Sequence, residues 1–327
     1  MPRPIDAESQ KPRRLALAGK VTETVIPPEL YRPGSLRADC ERLSQPAEPM
    51  ADADILSFLI KYFHASLYPG SENHAVPLAE ASDLLARFYD LWTEGGDRQI
   101  PLAGERSAYP LRMLADLPRT AHIFRSVANR ALPPDLVPDP YLGFDCGTGS
   151  GILLTAAWLQ AKRNGCADIR LVGVECDAGM AERTSLLFQS LGIGQVISGD
   201  ARDPAVLAAL PEGQVAFVGN ENVPAPTSRV TAEPFSAIHA ALFTAMAPRL
   251  RQAIFFPEAL VVRDRDAELD VVLSKNNRFQ PPRHYRYLRL RPRSIVIEGR
   301  LTRLWLVGKE FRKYIPETWL RAMPGRW

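Results

Sequence analysis

Three stretches of this chain set reactive side chains at spacings that suit ligand chemistry. The first is FDCGTGSGILL, in which Asp145 precedes Gly147, Gly149 and Gly151 at every second position, with Thr148 among them. Glycines so spaced let the backbone reverse tightly and let a ligand approach bare main chain, and a helix that follows presents unpaired N–H groups. The acid before the first glycine would repel a pyrophosphate and suits a ligand that carries an ammonium group. The second stretch is VGVECD, where Glu175 can accept from both hydroxyls of a ribose. The third is SGDARD, where Asp200 can accept from an exocyclic amine and the Ala201 N–H can meet a ring nitrogen. A further polar loop, GNENVPAPT, holds Asn220, Glu221 and Asn222. A carboxylate there can act as base or hold an amine, and the amides can orient charged ends of a ligand. A turn stabilised by Asx hydrogen bonds accounts for this loop equally well.

Positioning these groups requires the elements between them. From Tyr141 the pattern alternates between short apolar runs and amphipathic ones. YLGFDC, IRLVGVE, GQVIS, QVAFVGN and QAIFFPEALVV read as five strands, with helical stretches between them. That order predicts an α/β, Rossmann-like, doubly wound sheet with acids along its carboxyl edge, where such folds bind ligands. DAELDVVLSKN reads as a polar helix, and SIVIEG with LTRLWLVGKEF as a closing hairpin that adds one reversed strand to a mostly parallel sheet. Upstream, residues 1–48 read as an extended arm, rich in proline and poor in periodicity. Residues 49–140 read as a helical N-terminal cap, and residues 141–327 as the ligand-binding domain. In the cap, Ile55, Phe58, Leu59, Tyr62 and Phe63 fall at helical spacing, with Asp52 or Asp54 as candidate N-caps. Tyr68, His74, Tyr109 and His122 stand there as possible substrate contacts, though ordinary packing explains each more simply.

Composition narrows the class. The chain has 327 residues, 46% hydrophobic and 24% charged, which is the balance of a globular protein and excludes a largely disordered one. No apolar run approaches the roughly 18 residues that a membrane span needs. Cys40, Cys146, Cys166 and Cys176 form no CxxC pair and no zinc-ligand spacing, so no metal is expected and a reducing cytoplasm is the default. The net charge is +3, yet residues 278–327 hold thirteen Arg and Lys against three acids. The plain reading is a solvent face of strands with alternating arginines, as in YRYLRLRPR. An RNA-associated surface is the sharper alternative, but no recognised RNA-binding signature accompanies the charge.

The Asp145–Gly151 run, Glu175 and Asp200–Ala201 resemble motifs one to three of the class I S-adenosylmethionine-dependent methyltransferase superfamily, over about residues 141–308. The resemblance implies S-adenosyl-L-methionine as cofactor, with its methionine arm over Gly147, Thr148 and Gly149 and its adenosine against Glu175, Cys176, Asp200 and Ala201. It also places Asn220, Glu221 and Asn222 at the reacting end, as cofactor contacts or catalytic groups, while saying almost nothing about the acceptor. The loop lacks the Asn/Asp-Pro-Pro-aromatic motif of base amino-methyltransferases. Glu221 and Glu233 sit where protein arginine methyltransferases carry two glutamates, but the flanking residues do not match. The reading that follows is a methyltransferase acting on a small metabolite. A second reading, faintly similar to nicotianamine synthases and to enzymes that form azetidine-2-carboxylate, transfers or cyclises the aminocarboxypropyl arm and releases methylthioadenosine.

Overall fold

The computed structural model describes residues 30–46, 49–85, 110–111, 113–115, 117–132, 139–222, 233–250, 253–256, 259–264, 269–275, 291–297 and 300–306. Two sheets carry the chain. The first has five parallel strands in the order β3-β2-β1-β4-β5: β1 is Tyr141–Cys146, β2 Ile169–Glu175, β3 Gln195–Ser198, β4 Val215–Gly219 and β5 Ile254–Phe256. The helices that accompany this sheet are α4 (Ile152–Arg163), α5 (Ala178–Leu191), α6 (Pro204–Ala208) and α7 (Glu233–Met246). This is a Rossmann-like α/β architecture, and the strand order reverses between β1 and β4.

The strands read as continuous apolar runs because both faces of the sheet are covered. On β2, Leu171 belongs to one core cluster, with Leu154, Leu187 and Phe188. Its neighbours Val172 and Val174 belong to the other, with Leu207, Ile238 and Leu242. The period of two thus divides the strand between two helical layers. Local chemistry marks the helix ends. Asp177 caps α5 by accepting from Met180 N–H at 2.8 Å, and Gly192 ends that helix in the left-handed conformation. Asp203 caps α6 in the same way.

The N-terminal helices are α1 (Leu36–Leu43), α2 (Asp52–Leu67) and α3 (Leu117–Ala128). Ile55, Phe58, Leu59, Tyr62 and Phe63 are all fully buried and join the same core cluster as α4 and α5. This region is therefore packed onto one face of the parallel sheet as part of its hydrophobic layer. Helix α1 falls within the stretch expected to be an extended arm. Ser35 caps it, Leu36, Cys40 and Leu43 bury its apolar side, and Lys61 of α2 reaches its buried Asp39 at 2.7 Å. The N-cap of α2 is Ala51, with no side-chain cap, so Asp52 and Asp54 lie in the first turn instead. There their charge suits the helix dipole.

Three expectations at the C-terminal side need correction. Leu269–Lys275 is a strand, β7, and not a polar helix. It pairs antiparallel with β6 (Ala259–Asp264), and its β-branched Val271 and Val272 suit a pleated surface better than a short isolated helix. The hairpin is present as β8 (Arg291–Ile297) and β9 (Arg300–Leu306), but it does not reverse a strand into the parallel sheet. Strand β8 pairs with β6, giving a separate antiparallel sheet of order β7-β6-β8-β9. Among the described residues the parallel sheet stops at β5. The run QAIFFPEALVV, expected as one strand, is divided between β5 and β6, one in each sheet. No helix among the described residues is long and apolar enough to cross a membrane.

Candidate functional site

Register aligns the carboxyl ends of the parallel strands. Asp145 of β1 stands opposite Gly173 of β2 and Gly219 of β4, Glu175 pairs with Ser198 of β3, and Gly219 pairs with Phe256 of β5. The glycine run emerges from β1 at the reversal point of the strand order, the place where open α/β sheets bind ligands.

This loop is fastened from several sides. Gly147 N–H and Thr148 N–H both donate to the Val174 carbonyl, at 2.7 and 3.0 Å. Gly149 N–H donates to Glu175 Oε2 at 2.9 Å, and Gly151 N–H returns to the Thr148 carbonyl at 2.8 Å. Thr184 of α5 donates to the Gly149 carbonyl at 2.6 Å, and Tyr62 of α2 to the Ser150 carbonyl at 2.8 Å. Three of the glycines are required twice over. Gly147 (φ 80°), Gly149 (φ 49°) and Gly151 (φ 76°) are left-handed, and a Cβ would lie 2.6 Å from the Asn222 amide at the first, 2.9 Å from Pro110 at the second and 2.5 Å from the Phe188 ring at the third. The bare backbone thus admits protein groups as well as any ligand.

The acids differ sharply in setting. Asp145 is 2% exposed; one oxygen accepts from Thr148 Oγ1 at 3.2 Å, and Oδ1 has no hydrogen-bond partner. Burial first, and then the neighbouring Glu221 and Glu175, push its carboxyl up to about 7, against a smaller lowering by Thr148. Glu175 is 7% exposed and its carboxylate faces inward, Oε2 on Gly149 N–H and Oε1 on Asp177 N–H at 2.9 Å. The Cys176 thiol also donates to this carboxylate, which keeps part of its acceptor capacity for hydroxyls. Asp200 lies two residues beyond the end of β3, with its side chain 45% exposed and paired to Arg202 at 2.5 Å. The Arg202 hydrogen bond holds its carboxyl below the ordinary range. Ala201 beside it is buried. Cys176 is an exposed thiol whose ionisation is opposed by local burial and by Glu175, while Cys146 is buried.

Beyond β4, Asn220 is 1% exposed, and its backbone N–H donates to the Phe256 carbonyl at 2.8 Å. The Asn220 side-chain oxygen accepts from both the backbone and the amide of Asn222, at 3.3 and 3.0 Å. The Asn222 amide also donates from the end of β4 to the Cys146 carbonyl at the end of β1. The Asx turn expected as the plain explanation is therefore present, and it also spans the reversal point. Glu221 is half-buried beside Asp145. Glu233 opens α7, with its side chain outside the described residues, as is Tyr109. Tyr68 lies tilted against His64, with ring centroids 5.0 Å apart, and His74 and His122 are exposed. Among the described residues no hydrogen bond joins these three to the strand ends. Tyr62 and Thr184 are the residues that sequence reasoning missed. Their helical spacing marked Tyr62 as core, and nothing in a sequence shows where a buried hydroxyl points.

No protein-family model matches the chain, and no curated protein matches its sequence. Among solved structures, it is similar to the Trypanosoma brucei PRMT1 enzyme–prozyme heterotetrameric complex with AdoHcy (17% identity, TM-score 0.34, covering 46% of this chain and 41% of that one). It is also similar to the mitomycin 7-O-methyltransferase MmcR (17% identity, TM-score 0.32, covering 69% and 58%). The chain spans less than two thirds of the length of either. The strand order β3-β2-β1-β4-β5 itself defines the fold.

The residues present fit a cationic nucleoside such as S-adenosylmethionine. The N–H groups of Gly147, Thr148, Gly149 and Gly151 are engaged by Val174, Glu175 and Thr148, so those four donors are not open to a ligand. What the site offers instead is acceptors: the orphaned Oδ1 of Asp145 and the spare lone pairs of Glu175.

Proposed function

We propose that this chain is an S-adenosylmethionine-dependent methyltransferase with a small-molecule acceptor. The observation that carries the reading is Asp145: a buried carboxylate oxygen without a partner, at the reversal point of the sheet and beside the glycine loop. Such an atom is completed by a donor with positive charge, and the methionine ammonium of the cofactor is one. Glu175 holds the ribose hydroxyls with its remaining lone pairs, and Asp200 with the Ala201 N–H meets the adenine edge once Arg202 yields. Cys176 lies alongside, and Thr148 holds Asp145 in place through its hydroxyl.

When bound, S-adenosylmethionine supplies a methyl group on a sulfonium that leaves as a neutral thioether. The protein's tasks are then to orient the acceptor, exclude water and, where the acceptor requires it, remove a proton. Glu221 is placed to hold or deprotonate an amine or hydroxyl at the end of β4, while Asn220 and Asn222 fix the geometry of that loop. The free state of Cys40, Cys146, Cys166 and Cys176 suits a reducing, cytoplasmic setting.

Calorimetric titration with S-adenosylmethionine, S-adenosylhomocysteine and NAD tests the cofactor, with binding of the first two and none of the third expected. Incubation with a panel of small amines, phenols and carboxylic acids then tests the chemistry. S-adenosylhomocysteine formed only with an acceptor supports methyl transfer. Methylthioadenosine formed from cofactor alone would replace that reading with cyclisation of the aminocarboxypropyl arm.

A further inference from the structure

The peptide between Ser150 and Gly151 lies at the centre of the glycine loop and is held at both ends. It turns about ψ of Ser150 and φ of Gly151, and Gly151 is left-handed with φ of 76°. Its N–H, that of Gly151, donates to the Thr148 carbonyl at 2.8 Å within the loop. The Ser150 carbonyl is different. Its partner is the hydroxyl of Tyr62, 88 residues earlier on helix α2, at 2.8 Å.

Tyr62 is fully buried, its ring packed against Phe58 with centroids 5.8 Å apart. Thr155 Oγ1 lies 3.1 Å from the tyrosine oxygen and 3.0 Å from the Gly151 carbonyl, and its single proton serves one of the two. Burial keeps the Tyr62 phenol protonated, so its hydrogen remains available to Ser150. A buried carbonyl that loses its donor is left unsatisfied, and the peptide is then held only by the Gly151 N–H.

We infer that Tyr62 is a positioning residue for the cofactor loop, and that the helical N-terminal region is thereby part of the cofactor-binding unit and not a separable lid. The inference rests on reading residues 147–151 as the S-adenosylmethionine loop. Tyr62 supplies the second of the two hydrogen bonds that hold the 150–151 peptide in the orientation in which the loop receives its ligand. Without the hydroxyl the loop spends only a fraction of its time there, and affinity falls by that fraction.

The test uses Tyr62→Phe, which keeps the ring and removes the hydrogen bond, and Tyr141→Phe as control. Tyr141 is equally buried and donates to Gln160 at 2.8 Å, but from the other end of β1. Calorimetry with S-adenosylmethionine is expected to show affinity lower by about five- to tenfold in Tyr62→Phe and within about twofold of wild type in Tyr141→Phe. Both should lose a similar few degrees in melting temperature. Equal affinity in Tyr62→Phe and wild type, or an equal loss in Tyr141→Phe, overturns the positioning role. Should Tyr62→Phe not fold, Thr155→Val carries the same test with an expected loss of about two- to threefold, and unchanged affinity there overturns it. The wild-type titration stands first: no binding of S-adenosylmethionine sinks the cofactor reading itself, and this inference with it.

Discussion

Strands β2 and β3 lie side by side and each delivers an acid at its carboxyl end, yet the two acids are in opposite states. Glu175 is almost wholly buried and already holds two backbone N–H groups, one of them in the glycine loop. Asp200 is half exposed and bound to a mobile-length side chain two residues away, Arg202. The first is built into the loop it serves, so its position is set before any ligand arrives. The second must exchange an existing partner for a new one. An acid at a strand end is therefore not yet a site; its prior hydrogen bonds decide how much it contributes.

The largest effect should come from breaking the preorganised side. Glu175→Ala leaves the N–H groups of Gly149 and Asp177 without their charged acceptor, and should weaken S-adenosylmethionine binding by about 2 kcal/mol, roughly thirtyfold. Calorimetry on the folded variant checks this, and unchanged affinity would remove Glu175 from the site. Next comes pH. With its carboxyl near 7, Asp145 is about half protonated in neutral buffer. A cationic ligand favours the ionised form, so affinity should rise about three- to tenfold from pH 6 to 8, with proton uptake by the buffer. Titrations in buffers of different ionisation enthalpy measure that release. A flat profile, kept in Asp145→Asn, would show that the carboxyl does not meet the charge.

The same carboxyl affects folding in the opposite direction. Its pKa is raised from 3.8 unfolded to about 7 folded, so between those values the native chain holds a proton that the unfolded chain releases. This group therefore costs the ligand-free protein stability as pH climbs through that window, and urea melts at pH 5 and 7 should show it. The smallest effects belong to β3. Asp200→Ala should reduce cofactor affinity only about threefold and change stability by less than about 0.5 kcal/mol, because its pair is exposed. Arg202→Ala should tighten binding by up to about twofold by freeing Asp200. A loss at Asp200 equal to that at Glu175 would erase the contrast between the two strand ends.

Much of this organisation was legible in the residues. β1 and β2 begin and end where their apolar runs do, Tyr141–Cys146 and Ile169–Glu175, because strands covered on both faces have no polar alternation to blur their limits. Helix α5 stops at Gly192 for a reason that composition alone shows: only glycine closes that turn without strain. The failures share a cause. Leu269–Lys275 lacks a period that separates a short helix from a strand, and its pairing with β6 decided the matter. The hairpin was read correctly as a hairpin, but which sheet it joins depends on β8 meeting β6, a contact between residues more than thirty positions apart.

The sequence by itself determined the order of elements, the glycine loop after β1 and the acids at 145, 175 and 200, since all of these depend on neighbours along the chain. Only the tertiary structure decided that Asp145 keeps an unpartnered oxygen, that Arg202 occupies Asp200, and that Tyr62 reaches the Ser150 carbonyl. The physical reason is the same in each case. Desolvation and hydrogen bonding depend on what surrounds an atom in space, and a residue's place in the chain fixes its chemistry but not its surroundings.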